Sequence, residues 1–357
     1  MSESEKEIME KRRKKEQYES YWNKLFKIQI YLSIIGVFLL ITEVSDFRKK
    51  LIKLNPSYNF PKISDLLISL FLFPLLLLSQ LLLCGLFKKT IVEKSLALKY
   101  INAKDEEMKI RANIYRNKLA MHLYKSSFYF IVCVFGYIVL KDYDFFPKSL
   151  LGKGEMKNMF IKGYPETFYF ERSYSFDLYY LINLAYYLSD FVWLLISEKP
   201  NDFINMFLHH ICTISLILFS YLTNYTKVGA IVLFLHMTSD VFVHSTRFLL
   251  QTRFPSIFAE ISGVILTINY VYMRIYVLGE IIYTIYRYIT WKWGVITTTL
   301  WLFLVILYIM HLRWSYILLH KTVELLMTKK RIVDDINYDK LVKGNKGIRY
   351  NNHKKNK

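Results

Sequence analysis

Three cysteines are all that the 357 residues contain, Cys84, Cys133 and Cys212, and each lies in an apolar segment. An odd, scattered set of this kind gives neither a disulfide framework nor a zinc-ligand pattern. The chain also lacks the amphipathic periodicity expected of a soluble protein of this length, and it shows no internal repeat. Acidic residues are few beside basic ones, 29 against 48. That excess invites a nucleic-acid reading, but its distribution argues against one. Lys and Arg concentrate in the first 27 residues, in 88–118 and after 320, the arrangement of loops and tails flanking membrane spans. Anionic lipid headgroups are the partner such segments suit, and no nucleic-acid partner is expected.

What is abundant is apolar: 54% hydrophobic residues, 17% aromatic, with long blocks nearly free of charge. Runs of eighteen or more such residues are membrane-span candidates. Eight are expected, at about 26–44, 63–87, 119–140, 176–197, 206–224, 228–250, 257–285 and 295–319. The expected fold class is therefore an all-α membrane protein with about eight transmembrane helices. The opening "MSESEKEIMEKRRKKEQYESYWNK" is too long and too charged for a cleaved signal peptide. The first apolar segment is expected to act as an uncleaved anchor.

Five parts follow from this division: a basic tail at 1–25, two N-terminal spans within 26–87, a charged helix-prone connector at 88–118, a six-span region at 119–327, and a Lys- and Asn-rich tail at 328–357. The first 27 residues, the connector and the segment from 321 hold eight, nine and eleven Lys or Arg. Loops 45–62 and 141–175 hold five and six. With an even number of spans, both termini and the connector are expected on the cytosolic side.

The stretch "MFLHHICTISLILFSYLTNYTKVGAIVLFLHMTSD", 206–240, sets His209, His210, His236 and Asp240 inside lipid-depth helix. In the sixth span His236, Asp240, His244 and Arg247 fall at i, i+4, i+8 and i+11, one helical face. In the fourth, Tyr180, Asn183, Tyr187 and Asp190 form a second polar stripe. Ionisable groups at that depth must face protein or water and mark function by default. Thr213, Ser215, Ser220, Thr238 and Ser239 fit ordinary hydrogen-bonding between helices. A metal site is disfavoured, because adjacent histidines diverge by about 100° around a helix and the familiar zinc spacing on a helix is a pair of histidines at i and i+4 with a further ligand. A transporter would show broken helices or paired repeats, and neither is seen. Imidazole beside a carboxylate suits proton transfer or nucleophilic attack on an acyl carbon, with Asp240 expected to fix a histidine tautomer. All four groups are expected in one cavity open to the cytosol.

The segment from Asp202 to Asp240 resembles the Lag1 motif of ceramide synthases, within the TRAM–Lag1–CLN8 (TLC) superfamily. Asp202, Phe203, His209, His210, Thr213, Ser220, Tyr221, Asn224, Gly229, His236 and Asp240 match the pattern. "LYYLINLAYYLSD" is similar to the Tyr-rich helix before that motif, and "HLRWSYILLHKTVELL" to its closing helix, through His311 and Trp314. The resemblance covers about 119–327 and implies a six-span TLC bundle preceded by two extra spans. It implies N-acylation of a sphingoid base by a fatty acyl-CoA, a co-substrate, in the endoplasmic reticulum membrane, with no cofactor and with room for a homo- or heterodimer. Carried over, His209, His210, His236 and Asp240 are catalytic; Asp202, Thr213, Tyr180, Tyr187, Asn224, Arg247 and Trp314 are expected to bind substrate.

The chain departs from the pattern at Met237, where the family has Asp, and at "VHSTR". His244 and Arg247 there resemble the translocation-associated branch. The alternative reading is a non-catalytic TLC protein that binds lipid or assists membrane-protein translocation. The final Lys354-Lys355-Asn356-Lys357 resembles a dilysine retrieval signal. Asn224-Tyr225-Thr226 is formally a glycosylation sequon, expected unmodified at a short turn.

Overall fold

In a bilayer, backbone amides and carbonyls find no water, so apolar runs of this length can satisfy them only as helix. The computed structural model describes residues 3–95, 106–197, 202–252, 254–288 and 294–328, and among these it contains no strand; an isolated bridge joins Pro147 and Gly154. Eight helices are long and apolar enough to cross a membrane, and the protein is a multi-pass membrane protein. They are α1 Glu3–Leu54, α2 Leu66–Phe87, α3 Glu106–Leu140, α4 Tyr174–Ile196, α5 Phe203–Leu222, α6 Thr226–Gln251, α7 Ser256–Tyr288 and α8 Val295–Thr328. Each expected span falls on one of them. The first helix also runs back through the basic tail, whose Glu, Lys and Arg are good helix formers. Residues 96–105 of the connector and the tail from 329, with Lys354-Lys355, lie outside the described residues.

Alternation of eight helices puts the start of α1, the end of α2, the start of α3 and the end of α8 on one face, called here the basic face, and the loops at 55–62, 141–173 and 223–225 on the distal face. Helices α3 to α8 form a ring in the order α3, α4, α5, α8, α7, α6. The two remaining helices fill outer grooves: α1 packs against α5 and α8, and α2 against α3 and α4. On α1 the packed positions are Phe26, Gln29, Ser33, Gly36 and Leu40, at alternating steps of three and four, the spacing of a coiled-coil seam. Gly36 is required there, since an added Cβ would lie 2.4 Å from the Phe303 ring on α8. Opposite, Tyr31 and Phe38 are about two-thirds exposed (67% and 65%); large aromatics so uncovered belong against lipid.

The seam between α3 and α6 is polar. Ser126 and Ser245 hydroxyls meet at 2.6 Å, Cys133 Sγ and Thr238 at 3.2 Å, and Nδ1 of His122 and His244 at 3.0 Å. The distal face is closed by 141–173, whose Phe145, Phe146 and Phe168 are buried. Arg172 donates to Asn224 Oδ1 at 2.6 Å and pairs with Asp177 at 2.9 Å. Asn224 takes a left-handed turn, φ 60°, a conformation Asn tolerates better than most residues, and its amide donates to Tyr58 Oη and the Phe168 carbonyl. Arg48 reaches across from α1 to the carbonyls of Leu222 and Pro61.

Candidate functional site

One face of α5 carries His209, Thr213, the pair Leu216 and Ile217, and Ser220, one turn apart, which keeps it turned into the ring. His209 lies near the basic end of that face, with only 7% of its surface exposed. Its ring centroid is 6.2 Å from that of His236 on α6, 5.8 Å from His311 and 5.5 Å from Trp314 on α8, and 5.8 Å from His210. Nδ1 of His209 is buried and has no hydrogen-bond partner.

The histidines behind it are wired in one direction. Nδ1 of His236 lies 2.7 Å from the Val232 carbonyl, which can only accept, so that nitrogen carries the proton. In the neutral ring Nε2 then accepts, and the donor is Nε2–H of His311 at 3.0 Å. Nδ1 of His311 is left to accept from the Tyr270 hydroxyl at 3.0 Å. The tautomers are assigned from this network.

Helix α7 contributes an arginine through an irregularity. Tyr272–Val277 forms a π-helical turn, a feature that inserts one residue per turn and re-aims side chains. Arg274, within it, is 3% exposed. It donates to Asp240 Oδ1 at 2.5 Å and to the His236 carbonyl at 3.1 Å, and its Nη1 lies 3.5 Å from Nε2 of His311. Asp240 is the one carboxylate on α6; the arginine partner offsets the cost of burying it. The expectation that Asp240 fixes a histidine tautomer is thus corrected: Val232 does this for His236, and Asp240 holds Arg274 instead. Met237, beside His236, is fully buried in the main apolar core.

His210 points the other way, as the 100° offset between adjacent residues requires. It packs on Tyr187 and Phe191 of α4, with Nε2 3.8 Å from Asp190 Oδ2. Lys125 of α3 pairs with Asp190 at 2.5 Å. Asp190, the carboxylate of the polar stripe read on the fourth span, therefore faces His210.

On the distal side of His236 an apolar cavity opens. Its walls include Leu216, Val232, Leu300, Leu304 and Leu307, and it extends to Phe160, Tyr225 and Gly229 near the distal turn. On α8 it spans Thr297 to Leu307, about 15 Å at 1.5 Å per residue. Its polar end holds His236, Thr213 and Tyr187, and both the Thr213 and Tyr187 hydroxyls are buried without partners. Gly229 is fixed by the wall: a Cβ would fall 1.7 Å from Tyr180 Oη, which bonds to Ser220 at 2.5 Å.

The structure brings together His209, His236 and Trp314, and lines the adjoining cavity with Thr213, Tyr180 and Tyr187. His210 and Asp240 flank the cluster through Asp190 and Arg274, so the single cavity expected for all four groups is corrected: of these only His236 lines it. Asp202, just before α5, and Arg247, toward the basic end of α6, are exposed. Asn224 is not near the histidines. Fifteen residues from His209, it sits about 20 Å along the helix axis and binds the distal loop. Sequence reasoning passed over Arg274 and Tyr270, and gave His311 only as a motif match. A lone Arg within an apolar span was the available signal.

The TLC (TRAM, Lag1 and CLN8) domain matches residues 118–320, more than half of the chain. Ceramide synthase LOH2 of Arabidopsis thaliana is 28% identical over 189 residues, 51% of this chain and 63% of its own length. Ceramide synthase 5 of Homo sapiens is 27% identical over 166 residues, 44% of this chain and 41% of its own. Sphingosine N-acyltransferase lag1 of Schizosaccharomyces pombe is 32% identical over 107 residues, 30% and 27%. The chain thus spans less than two thirds of the length of these curated relatives. With the domain match covering all six helices of the ring, the chain belongs to the TLC domain family.

Proposed function

We propose that the protein is a ceramide synthase, an N-acyltransferase that moves a fatty acyl group from acyl-CoA to the amine of a sphingoid base. The observation that carries the reading is a buried histidine with an unpartnered nitrogen, His209 Nδ1, set beside His236, which lines the polar end of the apolar cavity. The names of the relatives, ceramide synthase and sphingosine N-acyltransferase, support the same reaction.

In this proposal the acyl chain lies in the apolar cavity with its thioester at the polar end. The amine nitrogen bonds to the thioester carbonyl carbon while the carbon–sulfur bond breaks. The proton lost by the amine passes to His209 and on to the departing thiolate, giving an amide and free CoA thiol. A long-chain amine is largely protonated near neutral pH, so a base is needed before it can attack. The Tyr187 and Thr213 hydroxyls are unpartnered donors at the place where negative charge develops on the carbonyl oxygen. Trapping an acyl group on His209 would indicate a covalent route through the same residues. His210 and His236 orient and support His209, and Arg274 with Asp240 stiffens the wall behind them. No cofactor takes part. The basic face is assigned to the cytosol, where acyl-CoA is presented, as the basic segments support, and the membrane to the endoplasmic reticulum, as the resemblance to ceramide synthases implies.

The test is ceramide formation by the purified protein in lipid vesicles given sphinganine and acyl-CoA of several chain lengths. Amide product is expected with at least one chain length. A folded protein that binds both lipids yet forms no ceramide would overturn the reading and favour the non-catalytic alternative.

A further inference from the structure

The cavity reaches the histidine cluster from its distal side, yet a second opening meets it from the basic side. Trp22 and Gln29 of α1, Asn205 of α5, and Met310, Arg313 and Trp314 of α8 line a cleft. The registers fix its level. Asn205 is one turn toward the basic face from His209, and Trp314 is one turn beyond His311. Trp314 is the wall shared with the site, its ring 5.5 Å from His209 and 5.6 Å from His311.

The cleft carries a polar group that the fold does not use. Gln29 is 5% exposed, and its Nε2 is buried with no hydrogen-bond partner. One turn further on, Ser33 at the same seam does have a partner, Cys212 Sγ at 3.3 Å. Leaving a buried amide donor unsatisfied costs about 1–3 kcal/mol, and an apolar residue in the seam would avoid that cost. The remaining lining is apolar or aromatic apart from Asn205 and Arg313, and the arginine lies over the Trp22 ring at 5.7 Å. Trp and Arg at the end of a span are typical of interfacial depth.

We infer that this cleft between α1, α5 and α8 receives the polar head of the sphingoid base, and that α1 therefore completes the second substrate's subsite. The inference rests on the acyltransferase reading above. A sphingoid base presents one amine and neighbouring hydroxyls on a long alkyl chain. Its hydroxyl oxygen accepts from Gln29 Nε2, and the carbonyl of Asn205 accepts from the hydroxyl or amine. Its chain leaves beside α1, whose outer face is apolar and exposed at Tyr31 and Phe38. A CoA nucleotide, with several phosphates, fits poorly: among the described residues Arg313 is the one cation in the lining, and it is held on an aromatic face. With the acyl chain on the distal side and the amine on the basic side, the two substrates meet at His209.

Two measurements on the full chain in lipid nanodiscs test this. Gln29→Leu is expected to raise the KM for sphinganine about tenfold, one hydrogen bond to ligand, while the KM for palmitoyl-CoA stays and the melting temperature does not fall. Unchanged KM for sphinganine, or an equal rise for both substrates, would overturn it. Asn205→Cys, with the wild-type chain as labelling blank, is expected to react with a maleimide and to be protected by sphinganine but not by palmitoyl-CoA. Protection by palmitoyl-CoA alone, or by neither, would overturn the assignment. Absence of ceramide from wild type with sphinganine protection intact would count against the catalytic reading and leave the cleft assignment standing.

Discussion

Two buried polar networks sit at opposite ends of the same ring, and they differ in what they leave undone. At the distal end Arg48, Arg172, Asn224 and Tyr58 spend their donors on carbonyls and one another. At the basic end, His209 Nδ1, His210 Nδ1 and the Thr213 and Tyr187 hydroxyls are buried without partners. Satisfied buried polar groups rigidify a fold, whereas unsatisfied ones need another explanation. Residue type does not separate the two regions, since both mix aromatic, polar and charged side chains. Completeness of hydrogen bonding does.

The sharpest way to break the comparison is at His209. His209→Ala is expected to lower ceramide formation per folded molecule by about a thousandfold or more. The next effect is on stability. Arg274→Met leaves the Asp240 carboxylate buried and unpaired, which should cost about 3–5 kcal/mol. Adding Asp240→Asn should recover a large part of that loss in denaturant unfolding, and simple additivity of the two would contradict the pairing. At the distal end, Asn224→Ala leaves Arg172 and the Phe168 carbonyl without their partner, a loss of about 1–3 kcal/mol. Its activity per folded molecule should stay at the wild-type level. Smallest is Tyr270→Phe, which removes one donor to His311 and is expected to cost about 1 kcal/mol and less than tenfold in rate.

All eight helices were legible in the sequence, because the bilayer leaves an uninterrupted apolar run one way to satisfy its backbone. His209, His236 and Asp240 were legible for the complementary reason, that ionisable groups at that depth stand out. What could not be read was who meets whom. His236 and His311 are 75 residues apart, and nothing local announces their 3.0 Å contact. Arg274 enters the ring through a π-turn, which breaks the 3.6-residue register that pattern reading assumes. Asn224 misled because it matches a motif position, while its left-handed turn and its carbonyl contacts make it a clamp. Likewise, the three-and-four spacing from Phe26 to Leu40 is a packing signal, hidden within a run whose hydrophobicity already accounted for it.

The comparison reduces to one paired experiment. His209→Ala and Asn224→Ala are purified in the same lipid, each is normalised to its folded fraction, and ceramide formation from sphinganine and palmitoyl-CoA is measured beside wild type. The account predicts product from wild type and Asn224→Ala at similar specific rates and almost none from His209→Ala. Equal rates from both variants would contradict it.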